Sequence, residues 1–123
     1  MDDSIVINVK TQFLAQHSRP ENRHFVFAYT ITITNCGAEA AQLISRYWRI
    51  RDNNNKTQEV HGTGVVGEQP RIEAGGHYTY TSSAILATEA GTMEGFYIMR
   101  RDNGDTFKVP IPTFGLVPSH AIH

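Results

Sequence analysis

The chain has 123 residues, of which 40% are hydrophobic and 19% charged, a balance that is typical of a globular domain and excludes a disordered chain. Eleven basic and twelve acidic residues give a formal net charge of −1, which argues against binding nucleic acid through bulk charge. A chain of this length should bury about two-thirds of its unfolded surface, so we predict one domain, residues 1–123.

Cysteine usage and the N-terminal sequence bear on the cellular compartment. Cys36 is the single cysteine, so no internal disulfide can form and nothing requires an oxidising compartment. The first four residues, Met-Asp-Asp-Ser, are acidic where a signal peptide is basic, and no apolar run approaches the length of a membrane span. We therefore predict a cytoplasmic protein with no membrane insertion.

Period-two alternation predicts two strands in the first third of the chain. Ile5, Ile7 and Val9 share one face of the first strand. The second, residues 25–34, is the clearest strand of the chain and should be central in its sheet. Residues 35–37, Asn-Cys-Gly, are expected to end it because they tolerate positive φ.

A third strand is predicted over residues 40–51, and it contains Trp48, the single tryptophan. Its faces carry Ile44, Arg46, Trp48 and Ile50 on one side, and Ser45, Tyr47, Arg49 and Arg51 on the other. A lone tryptophan on the third strand of an all-β domain is usually the core anchor of a two-sheet sandwich. We expect it to pack against Phe27, Tyr29 and Tyr97. Arg46 shares that face, so it needs a carboxylate or carbonyl partner or a place at the rim.

The last part of the chain predicts further strands and turns. Tyr78 and Tyr80 alternate with polar residues, a loop is expected over 82–90, and Met93, Tyr97 and Met99 mark the next strand. Asn103-Gly104 suits a type I′ hairpin turn, and Pro110 and Pro112 indicate that the return strand lies at an edge. About seven strands and no helix predict an all-β sandwich in one domain, with a small barrel as the main competitor.

Gly62, Gly64 and Gly67 form a G-x-G-x-x-G spacing, which in dinucleotide-binding folds brings backbone N–H groups against a pyrophosphate. Here no helix follows the last glycine, and Pro70 closes the segment instead. A glycine-rich bend between strands is the simplest interpretation. A backbone cradle for an anion or a peptide remains open.

No catalytic or metal-binding set stands out. Scattered Ser and Thr residues offer no convincing nucleophile, and Glu68 is a single carboxylate without a visible partner. The pairs His120/His123 and His61/His77 are too few for a typical zinc site. We predict that the protein is not an enzyme and has no cofactor or metal site.

Several segments together resemble the ApaG family: Phe27-Ala-Tyr-Thr-Ile-Thr-Ile33, Ser45-Arg-Tyr-Trp48, Val60-His-Gly-Thr-Gly-Val-Val-Gly-Glu-Gln-Pro70, Tyr80-Thr-Ser82, Gly91-Thr-Met-Glu-Gly95 and Phe107-Lys-Val-Pro-Ile-Pro112. The resemblance implies a fibronectin type III-like or immunoglobulin-like sandwich. Bacterial members are linked to cobalt resistance and magnesium efflux and are encoded near a diadenosine tetraphosphate hydrolase. Eukaryotic ones act in protein recognition, and the family has no established reaction, so it implies fold firmly and function loosely.

The sequence therefore predicts a module that binds another protein, with residues 62–70 as the ligand-facing loop. The predicted binding residues are Gly62, Gly64, Gly67, Glu68, Arg49 and Arg71. Tyr47, Arg49 and Arg51 are expected to form a contact patch, since Tyr and Arg are enriched at interface hot spots. The alternative is a nucleotide polyphosphate held by the glycine N–H groups, with Arg49 or Arg71 supplying charge.

Overall fold

Eight β-strands make up most of the computed structural model, which describes residues 4–118. The strands are β1 Ile5–Phe13, β2 Phe25–Asn35, β3 Ala41–Asp52, β4 Thr57–Thr63, β5 Arg71–Ile72, β6 His77–Leu86, β7 Gly91–Arg101 and β8 Thr106–Leu116. Two short 3-10 turns, Ala15–His17 and Pro20–Asn22, connect β1 to β2.

The strands form two antiparallel sheets that pack face to face. The three-stranded sheet has the order β1-β2-β6, and the five-stranded sheet has the order β4-β3-β7-β8, with β5 paired to β3. The predicted β-sandwich is thus confirmed, with eight strands where about seven were expected. The predictions that the second strand is central and that the proline-containing last strand is an edge are also confirmed.

The third strand contains a β-bulge that reverses the predicted alternation near its start. The register against β7 shifts between Leu43 and Ser45, so Ile44 is an extra residue on β3. Leu43 is fully buried, whereas Ile44 is only half-buried. The assignment of Ile44 to the core was therefore wrong, because one inserted residue moves every side chain before it to the other face.

Of two turn predictions, the end of β2 at residues 35–37 is confirmed, and the type of the β7–β8 turn needs correction. Asn35 ends β2 without positive φ; its buried side chain donates to the carbonyl oxygens of Glu39 at 2.8 Å and Ile72 at 3.0 Å. The β7–β8 hairpin is present, but only Gly104 has positive φ, 94°, and its N–H donates to Arg101 O at 3.0 Å. That geometry fits a type I turn followed by a glycine bulge and not the predicted type I′ turn.

The expected loop over residues 82–90 is partly a strand. β6 continues to Leu86, and both Ala84 and Leu86 are buried in the core. The serines between Thr81 and Ala84 are small enough to sit on a sheet as well as in a loop, which is why composition alone misplaced this segment.

Trp48 lies between the two sheets and is 2% exposed. Its ring is 5.5 Å from the Tyr29 ring, 6.3 Å from the Tyr97 ring and 5.9 Å from the Phe114 ring, mostly edge to face. The predicted burial and the Tyr29 and Tyr97 contacts are confirmed. Phe27 is fully buried in the same core, but its aromatic neighbour is Phe13, at 5.2 Å.

Candidate functional site

Residues 64–70 connect β4 to β5 and fold back in a tight turn. Val65 and Glu68 exchange backbone hydrogen bonds of 2.8 and 2.9 Å. Val66 and Gly67 both have positive φ, 43° and 83°, as in the primed turns. The glycine-rich bend expected from the sequence is therefore present, with a non-glycine residue at one of its left-handed positions.

Two of the glycines pack closely against neighbouring groups. A Cβ on Gly64 would overlap the Glu68 carbonyl group, and the Gly64 N–H already donates to Ile44 O at 2.8 Å. A Cβ on Gly62 would lie 2.5 Å from Nη1 of Arg46. Gly62 thus makes room for the guanidinium of Arg46 to pass beneath the end of β4.

Arg46 anchors the loop to β3. Its Nη1 donates to Gly64 O at 2.8 Å and to Thr63 O at 3.3 Å. Of the options left open for this arginine, the structure shows carbonyl partners. Gln69 adds a second tie, because its Nε2 donates to Ile44 O at 3.0 Å.

The structure does not gather the six predicted binding residues at one point. Glu68 belongs to the loop, and its Oε2 accepts a hydrogen bond of 2.9 Å from the Tyr78 hydroxyl, which ties the loop to the three-stranded sheet. Arg71 is paired with Asp102 and Glu73, and its hydrogen bond lowers the pKa of Asp102. Arg49 lies on the outer face of β3. Gly62 lies at the end of β4, and Gly64, Gly67 and Glu68 belong to the loop that follows it.

The loop covers a polar cavity between the two sheets. The cavity has a volume of about 160 Å³ and is lined by Arg46 and Trp48 from β3, Tyr29 from β2, Tyr80 and Ser82 from β6, and loop residues 65–67. Sequence reasoning placed none of Tyr29, Tyr80 and Ser82 in a site. These three residues share a side-chain hydroxyl and lie on two neighbouring strands. Their proximity can be recognised only when the strand register is known.

A tyrosine pair connects the two sheets beside this cavity. The hydroxyls of Tyr80 on β6 and Tyr97 on β7 are 2.5 Å apart. Burial raises the pKa of both phenols, and in Tyr97 the neighbouring Tyr80 adds to the increase. Both hydroxyls therefore stay protonated well above neutral pH.

The outer face of the five-stranded sheet carries an aromatic row, which we define as His61, Tyr47, Phe96 and Pro110. These residues are aligned across β4, β3, β7 and β8. The Tyr47 ring stacks on Phe96 at 5.0 Å and lies 4.8 Å from the His61 ring. Lys108 places its Nζ 4.1 Å from the centre of the Phe96 ring, within cation–π range.

Charged residues border the aromatic row. Arg49 lies between Glu59 and Glu94 in the next row across the sheet. Loss of hydration and the Glu59 carboxylate raise the pKa of Tyr47. The predicted outward position of Tyr47, Arg49 and Arg51 is confirmed. The partners of Tyr47 in the row were missed, because they are distant in sequence and only register brings them together.

Residues 4–118 hold no group of three or more His, Cys, Asp or Glu side chains arranged to bind a metal ion. His61 is 3.8 Å from Glu59, with 71% of its side chain exposed. The His120/His123 pair falls outside the described residues. In this same part of the chain no helix is long and apolar enough to span a membrane.

The family model described as the ApaG domain matches residues 15–101. The chain belongs to the ApaG family. It is 49% identical to Protein ApaG of Pseudomonas paraeruginosa over 117 residues, 95% of this chain and 93% of that protein. It is 47% identical to Protein ApaG of Erwinia tasmaniensis over 119 residues, 97% of this chain and 95% of that one.

Solved structures agree with this membership. A crystal structure described as an ApaA protein from Bordetella pertussis has 43% identity and a TM-score of 0.91, with 94% of both chains covered. A structural-genomics X-ray structure has 41% identity and a TM-score of 0.94, covering 100% of this chain and 93% of the other. The names of the family and of these relatives state no reaction.

Proposed function

We propose that this ApaG-family protein is a non-enzymatic module that recognises another protein through the outer face of its five-stranded sheet. The observation that carries the proposal is the aromatic row, in which three rings and a proline are aligned across four strands. Aromatic side chains supply much of the energy at protein interfaces because they bury a large area with few rotatable bonds.

The charges beside the row suggest the chemistry of the partner. Glu59 and Glu94 flank the guanidinium of Arg49 on one side of the row, and Lys108 lies on the other side, so the carboxylates are concentrated on the Arg49 side. The Phe96 ring already has an ammonium group over one face, at 4.1 Å. We infer a protein surface that presents an Arg or Lys next to an apolar side chain, since a cation can contact both the carboxylates and the rings.

The glycine loop is included in this proposal as the margin of the contact surface. His61, a member of the row, directly precedes Gly62, and Val66 at the tip of the turn is 54% exposed. Contacts from the partner to Gly67 or Glu68 would extend the interface from the aromatic row onto the loop. The polyphosphate alternative has less support, because the Gly64 N–H is already donated and Arg71 is already ion-paired.

The proposal places the protein in the cytoplasm, in keeping with its single cysteine. It also assigns any link to cobalt resistance and magnesium efflux to the bound partner, so that this chain acts indirectly. A purified partner that belongs to a cation-efflux pathway would support that assignment.

Site-specific photocrosslinking tests the proposed surface. A photoreactive phenylalanine analogue is placed at position 96 in the full chain, and the matched control carries it at position 32, on the outer face of the other sheet. We expect a defined protein adduct from position 96 only. The partner is then purified, and Tyr47→Ala and Phe96→Ala should each weaken its affinity at least about tenfold, while Thr32→Ala should not.

Two results would overturn the proposal. One is a partner that crosslinks equally from positions 32 and 96 and binds Tyr47→Ala and Phe96→Ala as tightly as the unmodified chain. The other is catalytic turnover by the purified protein that survives in Tyr47→Ala. Circular dichroism of each variant checks that the sandwich is intact, so a loss of affinity can be assigned to the surface.

A further inference from the structure

Trp48 has a buried polar group without a partner. Its Nε1 is the one buried side-chain nitrogen or oxygen within residues 4–118 that has no hydrogen bond. An indole N–H can only donate, and leaving such a donor unsatisfied in the interior is unfavourable, so buried ones are rare. The sequence therefore keeps a costly donor at the centre of the core, where a phenylalanine would have none.

This nitrogen is closed off from solvent, but Trp48 also lines the cavity under the loop. Trp48 lines it together with Arg46, Tyr29, Tyr80 and Ser82. Indole and guanidinium groups are donors only, and hydroxyls can donate. Among residues 4–118, no Asp or Glu side chain lines the cavity. Its side-chain polar groups thus favour a ligand that accepts hydrogen bonds.

Arg46 gives the cavity a positive charge. The guanidinium is half-buried, and among the described residues no carboxylate forms an ion pair with it. Its two hydrogen bonds to carbonyl oxygens both use Nη1. A guanidinium has five N–H groups, so most of its donor capacity is left for a ligand.

The tyrosine pair contributes one more donor. Two hydroxyls carry two protons, and the single bond between Tyr80 and Tyr97 uses one of them. The hydroxyl that accepts this bond must direct its own proton elsewhere. Tyr97 is fully buried and does not line the cavity, whereas Tyr80 does, so the arrangement in which Tyr97 donates leaves the Tyr80 proton for the cavity.

We propose that this cavity binds a small oxyanion, a carboxylate or phosphate group, held by Arg46 and the Tyr80 hydroxyl, with the Trp48 indole in the cavity wall as the reporter. The volume of about 160 Å³ suits such a group, since one water's share of liquid volume is about 30 Å³. The turn at residues 65–67 forms part of the cavity wall. The proposal does not depend on the protein-binding surface.

The single tryptophan makes the site directly observable. In the ¹⁵N-labelled full chain one indole Nε1–H signal reports on Trp48. It is followed during titration with sodium acetate and, separately, with inorganic phosphate, at an ionic strength held constant with sodium chloride. We expect a saturable downfield shift of the indole proton with at least one anion, and the tighter one identifies the oxyanion class.

Variants separate this site from general anion effects. Arg46→Gln should weaken binding at least about tenfold, because it removes a charged donor. The matched control, Arg100→Gln at an exposed position of β7, should bind as the unmodified chain does. Tyr80→Phe serves as a second variant if Arg46→Gln does not fold, and it should also weaken binding.

Three outcomes would overturn the proposal. The indole signal could respond to neither anion beyond sodium chloride alone. It could show only exchange with a bound water, which would make water the acceptor. Finally, saturable shifts that persist unchanged in Arg46→Gln and Tyr80→Phe would place the anion elsewhere.

Discussion

The two outer faces of this sandwich are built from different side chains. The middle of the three-stranded sheet presents threonine pairs: Thr30 and Thr81 have their hydroxyls 2.8 Å apart, and Thr32 and Thr79 have theirs 3.0 Å apart. Each pair is also a backbone pair between β2 and β6. The five-stranded sheet presents the aromatic row and its bordering charges instead.

The two faces differ in whether their side chains are satisfied within the sheet or are left available for contacts with another molecule. Threonine is β-branched, has a high preference for strands, and satisfies its hydroxyl across the sheet, so the threonine face is complete in itself. The aromatic face leaves large rings only partly covered. Threonines at the same positions would suit these strands equally well. This contrast is the reason for placing the proposed protein-binding surface on the five-stranded sheet.

The largest loss of stability is expected from Trp48→Ala. This variant tests whether Trp48, unlike its neighbour Tyr47, serves to stabilise the fold. The indole contacts rings from both sheets, so its removal should cost about 3–5 kcal/mol of unfolding free energy. Small domains have only about 5–15 kcal/mol in total, so the variant will be close to unfolding. Urea unfolding measures the change.

Tyr47→Ala is the matched control, because Tyr47 adjoins Trp48 in sequence but points to the opposite face. Its unfolding free energy should fall far less than that of Trp48→Ala, while its partner affinity falls more than its stability explains. A native fluorescence spectrum typical of a water-exposed indole, with full stability in Trp48→Ala, would reverse the assignment of the two faces of β3.

The sequence predicted those parts of the fold that depend on local alternation. Strands β1 and β2 and the burial of Trp48 follow from period two, which each segment carries by itself. The bulge at Ile44 was not predictable, since a single extra residue leaves the hydrophobic composition unchanged. The extent of β6 through Ser82 and Ser83 was missed because small polar residues are common both in loops and on exposed strand faces.

The candidate sites were harder to predict because they depend on register and not on motifs. His61 and Phe96 flank Tyr47 although 35 positions separate them in sequence. The cavity likewise joins β2, β3 and β6. The glycine motif drew attention to the correct region for a different reason: Gly62 and Gly64 serve packing against Arg46 and Glu68.

An intermediate effect is expected at alkaline pH from the tyrosine pair that joins the sheets behind the two faces. Burial raises the pKa of Tyr80 and Tyr97 above the unfolded value of about 10. Below that pH the phenols are protonated in both states and their contribution is complete. Above it the unfolded chain ionises while the folded chain keeps its protons, so stability falls as pH rises.

The slope provides the measurement. Each such hydroxyl should remove about 1.4 kcal/mol of unfolding free energy per pH unit above about pH 10. Tyr97→Phe should therefore show a shallower decline than the unmodified chain in urea unfolding at several alkaline pH values. Tyr47→Phe, on the aromatic face, should change the slope less. Equal slopes for Tyr97→Phe and the unmodified chain would mean that the buried pair ionises as readily in the folded state as in the unfolded state.

The smallest effect is expected on the threonine face and completes the comparison. Thr32→Val and Thr79→Val each keep a β-branched shape and remove one hydroxyl of a pair 3.0 Å apart. The double-mutant cycle should give a coupling of about 0.2–1 kcal/mol, the usual range for a cross-strand pair. Because this hydroxyl pair is satisfied within the sheet, neither substitution should change affinity for a partner that binds the aromatic row. Affinity is measured with the same purified partner as for Tyr47→Ala, under conditions in which Thr32→Val and Tyr47→Ala are both fully folded. If Thr32→Val weakens that complex as much as Tyr47→Ala does, the two outer faces are equivalent in binding, and the aromatic row loses its special role.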